Sequence, residues 1–318
     1  MLKELPMRTI NREEVLAKVG RVAVLKGGHS SEREVSLISG QTVFNGLQRL
    51  GVDALMIDVG SDVIARLQDA KPDLVMNMLH GQGGEDGVMQ GLLEIMQLPY
   101  TGSGVLASAM AMDKVKSKLV WQQLGLSTSP YYILGPDSNW QAIVSEFGRV
   151  VVKPVSGGSS LGIAIVDSAE ALLEQFEKSS EFDAHVMAEK YVAGREFSVG
   201  VLGEELLPAI QLETKRQFFD FDAKYVDEDT VVICPPRLDE AKLQELNDLV
   251  LAAYRSLECS GLARVDVMQD AAGQFYLLEL NTVPGMTEHS FVPTAAKAVG
   301  ISFDDLLVRI LEFETREK

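Results

Sequence analysis

The chain reads as an α/β protein that opens with a doubly wound parallel sheet and continues into two further mixed lobes. Three observations point there. Short apolar strands alternate with amphipathic helical stretches through about residue 100, the pattern of a parallel sheet with crossover helices. Beyond that point strand pairs flank tight glycine turns, as antiparallel strands do. A length of 318 residues divides into three lobes of roughly 100 residues, inside the ~50–200 residue range of single cores.

Taken in order, Arg21–Lys26 is a short apolar strand. Gly27-Gly28-His29-Ser30 turns, and a helix begins near Ser31, where Ser31 and Glu34 form a capping box and Val35, Ile38, Val43, Leu47 and Leu50 supply the apolar stripe. Strands follow at Ala54–Val59 and Asp73–Leu79 with a short helix between them, then the glycine-dense loop Gly81–Gly87 and a helix, Val88–Gln97. Ser103–Leu124 reads as one long helical segment carrying Asp113-Lys114. Val150–Pro154 and Leu161–Val166 are strands flanking Ser156-Gly157-Gly158-Ser159-Ser160; Ala169–Phe176 is helical and His185–Tyr191 a strand. Strands at Phe197–Leu202 and Glu205–Leu212 lead into a polar, aromatic-rich segment, Glu213–Thr230. The chain finishes with a helix (Glu240–Leu257), strands at Leu262–Met268 and Gln274–Asn281, and an amphipathic helix started by Ser302. Domains are expected at 1–102, 103–188 and 189–318, with residues 213–230 as a lid loop.

Composition narrows the function. Hydrophobic residues at 46% and charged residues at 24% are those of a soluble globular protein. A net charge of −17 argues against a general nucleic-acid or anionic-membrane binder, which needs clustered Lys and Arg. Two cysteines, Cys234 and Cys259, indicate neither a disulfide framework nor a cysteine zinc site. The N-terminus lacks the apolar core of a signal peptide, and no stretch approaches a membrane span. A cytoplasmic protein is expected.

The chemistry concentrates in the last strand pair. Side chains alternate along a strand, so Glu279 and Asn281 share a face, as do Arg264 and Asp266. If the strands pair, three hard oxygen ligands and a guanidinium meet on one surface, the way Mg²⁺ on nucleotide phosphates is held. The same pattern also suits an ordinary hairpin with a polar wet face. Ser156–Ser160 is a small-residue tip whose backbone N–H groups can fold over phosphates, with Lys153 close by as a point charge; it is also consistent with a plain turn. Glu189-Lys190-Tyr191-Val192 offers an acceptor, a backbone N–H and apolar walls of the kind adenine requires. Glu32, in the first turn of its helix, is ordinary dipole compensation, yet it lies outside the carboxyl end of the first strand, where open α/β sheets bind ligands. His80-Gly-Gln-Gly-Gly-Glu-Asp-Gly87 follows the third strand at that same edge. Lys215, Lys224 and Tyr225 lie among four aromatics in the candidate lid, which would exclude water on closing.

In combination these segments resemble the D-alanine–D-alanine ligases of the ATP-grasp family, from Val22 to about Arg309. The resemblance rests on Gly27-Gly28-x-Ser-x-Glu32-Arg-Glu-Val-Ser36, His80-Gly-x-Gly-Gly-Glu-Asp-Gly87, Tyr100-Thr-Gly-Ser-Gly104 and Met112-Asp-Lys114. Val152-Lys-Pro-x5-Ser-Leu-Gly162, Ala223-Lys-Tyr225, Arg264-Val-Asp266 and Glu279-x-Asn-Thr-x-Pro-Gly-Met-Thr287 complete it. It implies a three-lobed ATP-grasp fold behind an N-terminal parallel-sheet domain. ATP would lie between the middle and C-terminal sheets, with Lys114 and Lys153 on the phosphates and Ser160 in the hairpin covering them. Glu189, Lys190 and Val192 would hold adenine, Glu196 the ribose, and Lys224 would reach the γ-phosphate. Asp266, Glu279 and Asn281 would hold two Mg²⁺, with Mn²⁺ able to substitute.

For the amino acids, the resemblance implies that Glu32 binds the ammonium of the first D-alanine, linked through Ser159 to Tyr225. His80, Ser290 and Phe291 would contact substrate, Phe291 through its backbone, and Arg264 with the Gly285 N–H would stabilise the oxyanion. The implied reaction joins two D-alanines through a D-alanyl phosphate for peptidoglycan synthesis, in a homodimer. The alternative is a D-alanine–D-lactate depsipeptide ligase, against which the retained Tyr225 argues.

Overall fold

A computed structural model describes residues 8–158, 162–213 and 231–315. The readings that fall on Ser159, Ser160, Lys224, Tyr225 and most of the 213–230 loop therefore lie outside the described residues.

The first sheet contains β1 (Val22–Gly27), β2 (Ala54–Val59) and β3 (Leu74–Asn77), all parallel in the order β2-β1-β3. Its central strand is apolar on both faces because both are covered. Val22 and Val24 pack with Val43 and Leu47 of α2 (Arg33–Arg49), whereas Ala23 and Leu25 pack with Leu67 of α3 (Val63–Ala70) and Leu93 of α4 (Val88–Ile95). The final helix, Phe303–Thr315, returns to this lobe: a β-carbon on Gly46 of α2 would overlap Leu307, so glycine permits the close helix crossing.

The second sheet runs β4-β7-β5-β6, antiparallel throughout: Tyr131–Leu134, Val186–Lys190, Val150–Pro154 and Ala164–Val166. Helices α7 (Trp140–Phe147) and α8 (Ala169–Ser179) cover one face through Ile143, Phe147 and Leu172 against Val150, Val152, Val186 and Ala188. Alternation then sends Lys153 and Glu189 to the opposite face. The third sheet, order β11-β10-β8-β12-β13 with β9 on β8, is backed by the helix α9 (Glu240–Ser256), which Asp239 caps by accepting from the Lys242 N–H. Its strands are β8 (Gly194–Leu202), β9 (Glu205–Leu206), β10 (Ile210–Glu213), β11 (Val231–Ile233), β12 (Leu262–Asp270) and β13 (Phe275–Asn281).

Several local expectations change. The first helix of the sheet lobe starts at Arg33 and no Ser31–Glu34 box forms: Ser30 instead accepts the Glu32 N–H at 3.2 Å and donates to the His80 carbonyl at 2.6 Å. Ser103–Leu124 is two helices, α5 (Val105–Met112) and α6 (Lys114–Gln123). Asp113 turns extended between them and caps the second by accepting from the Lys116 N–H, a bond that competes with helix continuation. Glu205–Leu212 is split at Pro208, which has no N–H to give a ladder. Five short elements go beyond the sequence reading: α1 (Arg12–Lys18), β4, α7, β11 and the helix α10 (Phe291–Ala298).

Candidate active site

β12 and β13 pair antiparallel with Arg264 opposite Asn281 and Asp266 opposite Glu279, so all four side chains stand on one face. A register shift follows Asp266, where one extra residue on β13 bends the strand away. Asp266 is 5% exposed and fully engaged. It accepts from Arg264 Nε and Nη2 at 2.9 and 2.7 Å, from Ser198 Oγ at 2.6 Å and from Asn281 Nδ2 at 3.3 Å. Ser198, on β8, lies directly opposite Asp266. Glu279 pairs with Lys114 Nζ at 3.2 Å, and Lys114 also donates to the Gly157 carbonyl at 2.6 Å. Lys114 can do both because it opens α6 right after the Asp113 turn.

Arg264, Glu279 and Asn281 floor a cleft that opens to solvent. Glu32, His80, Lys114, Arg264, Glu279, Asn281, Gly285, Ser290 and Phe291 all line it, as do Gly157 and Gly158. Glu32 sits at the N-terminus of α2, wedged between two glycine loops. A β-carbon on Gly158 would overlap its carboxylate, and one on Gly81 would come within 2.7 Å of Oε2. Ser290 Oγ holds the Thr287 N–H at 3.0 Å, folding the glycine turn beneath Arg264, whose guanidinium stacks 5.7 Å from the Phe291 ring centre.

His80 is buried and both ring nitrogens have protein partners: Nδ1 with the Val283 carbonyl at 3.0 Å and Nε2 with Ser39 Oγ at 3.1 Å. Ser39 also accepts the Met286 N–H at 3.2 Å. A carbonyl only accepts, so Nδ1 carries the proton and Nε2 receives the serine hydroxyl. Burial pushes the ring down to about 4, with Arg264 adding to the effect. The ring is thus neutral and shapes the Val283–Met286 turn; its expected substrate contact has no nitrogen left to make it.

The residues expected on the nucleotide form a second group. Lys153 and Glu189 are buried and pair at 2.5 Å, while Lys118, completely buried, pairs with the other Glu189 oxygen. Burial pushes the Glu189 carboxyl upward, but the two ammoniums outweigh it and hold it below the ordinary range. Lys190 is exposed at the strand end, with Val192 and Glu196 half-buried beyond it.

Three residues escaped the sequence reading. Glu85, half-buried, accepts the Gly81 N–H at 2.7 Å and the Val283 N–H at 3.3 Å; burial and then the Glu32 charge raise it to about 8. Its motif was visible, but nothing in spacing distinguishes a carboxyl that turns inward. Lys118 follows Lys114 by one helical turn, a signal that could have flagged it. Ser198 had none. Both cysteine thiols are pushed up by burial, Cys234 to about 11 and Cys259 to about 12, which suits neither to nucleophilic work.

Residues 61–103 match the family described as D-ala D-ala ligase N-terminus and residues 120–312 that described as D-ala D-ala ligase C-terminus. A D-alanine–D-alanine ligase of Ectopseudomonas mendocina is 51% identical over 92% of this chain and 94% of its own. The chain belongs to the D-alanine–D-alanine ligase family. Among solved structures, the Bacillus anthracis ligase superposes with a TM-score of 0.84 at 35% identity, covering 93% of this chain and 98% of that one. The same enzyme complexed with ATP gives 0.83 at 34% identity over the same shares. The ligase-family fold accounts for the three sheets and for a cleft between glycine loops from different lobes. Among the described residues no helix is long and apolar enough to cross a membrane, and no three His, Cys, Asp or Glu side chains gather as a metal cage.

Proposed function

We propose that the protein joins two D-alanines to D-alanyl-D-alanine at the expense of ATP, through a D-alanyl phosphate, in the cytoplasmic phase of peptidoglycan synthesis. The observation that carries this reading is the convergence of Arg264, Glu279 and Asn281 beneath Glu32 and the Gly157–Gly158 tip in one cleft, with Asp266 on the same strand face holding Arg264 and Asn281. Glu32 is the only one of these carboxylates set between two glycine loops, where an ammonium can approach it. It receives the first D-alanine, with Ser159 and Tyr225 completing its surroundings from sequence.

Two carboxylates and a carboxamide are a hard-oxygen set that leaves most metal positions to phosphates and water, which fits Mg²⁺ or Mn²⁺ accompanying a nucleotide. Asp266, Glu279 and Asn281 would hold two such ions. Bound there, the ions would neutralise charge developing during phosphoryl transfer.

The chain's own groups do the rest. Lys114 and Lys153, with Ser160 in the covering tip and Lys224 from the lid, place the phosphates. Glu189, Lys190 and Val192 receive adenine and Glu196 the ribose. Transfer of the γ-phosphoryl to the first D-alanine carboxylate breaks the bond to ADP and makes a good electrophile from a poor one. The second D-alanine, seated by Ser290 and the backbone at Phe291, attacks as the free amine. Arg264 and the Gly285 N–H meet the oxyanion that forms, and collapse expels phosphate. His80 and Glu85 hold Val283 by its carbonyl and its N–H and so fix the turn that carries Gly285. Water would hydrolyse the acyl phosphate, so the chemistry calls for a lid, a role we assign to residues 213–230, nearly all of which lie outside the described residues.

Self-association into a homodimer suits the apolar face shared by α4 and α5, where Val88 and Leu106 are 66% and 58% exposed. Phosphate release from ATP and Mg²⁺ with D-alanine, L-alanine and D-lactate, singly and paired, tests the activity. D-alanine alone should suffice; phosphate release that ignores D-alanine overturns the reading. Glu279→Gln should lower turnover by at least ~10³-fold with an unchanged melting curve, and near-wild-type rates would remove Glu279 from the metal site.

A further inference from the structure

α6 carries two buried lysines one turn apart, and they face different things. Lys114 lines the cleft; Lys118, 0% exposed, does not. Lys118 Nζ donates instead to Glu189, to Thr128 Oγ1 at 2.6 Å and to the Leu277 carbonyl at 3.3 Å. Thr128 in turn donates to the same carbonyl at 2.7 Å, two residues before Glu279. One ammonium thereby ties α6, β7 and β13 together.

Taking an ammonium out of water costs several kcal/mol, and an apolar side chain of similar volume would glue helix to sheet at less expense. The charge itself therefore needs an explanation, and Glu189 supplies it. This carboxylate is shared: one oxygen meets Lys118 and the other meets Lys153 at 2.5 Å. Two cations on one anion leave one net positive charge on the face of the second sheet. With Lys118 absent, Glu189 and Lys153 would cancel.

We propose that Lys118 is a positioning residue for the nucleotide phosphates, neutralising Glu189 from behind so that the charge of Lys153 remains available to them. This rests on the reading that Lys153 meets the phosphates. It makes no use of Lys118 touching substrate, and it predicts that Lys118 acts only through Glu189.

The test is a double-mutant cycle on the full-length enzyme, read as KM for ATP and for D-alanine in the phosphate-release assay, with melting temperatures alongside. Lys118→Met should raise KM for ATP about tenfold, because an unshared Glu189 would hold Lys153 back from the phosphates, and leave KM for D-alanine within about twofold. Lys118→Arg, which keeps the charge, should recover most of that loss. In the Glu189→Gln background the Lys118→Met change should matter little, since the anion it neutralises is gone. That double variant removes Lys118 and its carboxylate together, leaving only Lys153 charged, and carries the comparison if Lys118→Met alone does not fold. Equal effects in both backgrounds, or a lower melting temperature with both KM values unmoved, would overturn the proposal. Lys153→Met separates the two ideas: an unchanged KM for ATP there sinks the phosphate reading itself, whereas a raised one with Lys118 silent sinks only this inference.

Discussion

Histidine 80 offers the sharpest quantitative test of the site. It is locked between the Val283 carbonyl and the Ser39 hydroxyl, and burial pushes it to about 4 from an ordinary 6.5. In the unfolded chain the ring protonates as the pH falls below its ordinary value; in the folded chain it resists until about 4. Its contribution to stability is therefore complete above the unfolded value and disappears as pH falls toward the folded one. At ~1.4 kcal/mol per pH unit, a fall to about pH 4.5 should cost the wild type roughly 2.5 kcal/mol through this group. His80→Gln removes the titration and adds a pH-independent loss from the missing hydrogen bond. Urea unfolding at about pH 7 and pH 4.5 should thus show a smaller pH-dependent loss in the variant by about that amount. In nuclear magnetic resonance spectra, the ring signal that vanishes in His80→Gln should hold its neutral shift down to about pH 5 in the wild type. A ring that titrates near 6.5, or equal pH slopes in both proteins, would refute the buried neutral tautomer and restore His80 as a candidate substrate contact.

Glu85 titrates with the opposite sense. Burial and Glu32 raise it to about 8, so its folded form stays protonated where the unfolded chain ionises, and stability is lost as pH rises from the ordinary carboxyl range through about 8. Glu85→Gln should flatten that loss in urea unfolding between about pH 6 and pH 9, and an unaltered slope would place the raised pKa elsewhere. Gly158→Ala should push against the Glu32 carboxylate and raise KM for D-alanine several-fold while the melting temperature stays within a few degrees; an unchanged KM would separate Glu32 from the glycine tip.

Much of the site was legible because strand geometry leaves little freedom. Once Asp266 and Glu279 lie on adjacent strands of the right polarity, alternation alone puts Arg264 and Asn281 beside them. The two glycine loops were legible for a related reason, since glycine-dense turns at strand ends have few structural uses. What stayed hidden depends on packing between segments distant in sequence. Asp113 reads as a helical residue until its side chain is seen capping the next helix, and Ser31 reads as a cap until Ser30 takes the N–H. His80 looked like a cleft residue, and only the approach of Val283 and Ser39, from residues far along the chain, shows that its nitrogens are used. Lys118 is the extreme case: its one-turn spacing from Lys114 marks the helix face, but a lysine on a polar-rich helix is ordinarily solvated and that spacing does not reveal the carboxylate waiting inside.

The ion pairs in and behind the cleft share one arrangement, and it bears on how ATP would enter. Asp266 is met by Arg264, Glu279 by Lys114, and Glu189 by Lys118 and Lys153. Asp266, Glu279 and Glu189 thus each carry a cation. Binding an anionic nucleotide with its metal would then exchange partners: lysines pass from carboxylate to phosphate, and the carboxylates they leave take the metal. An exchange of this kind strips little bare charge, because each group released is received by another of the required sign. It also makes binding of nucleotide and metal interdependent. ATP without metal would draw Lys114 from Glu279 and leave that carboxylate uncompensated, so the affinity for ATP should fall when the metal is chelated by more than the phosphate contacts alone would predict.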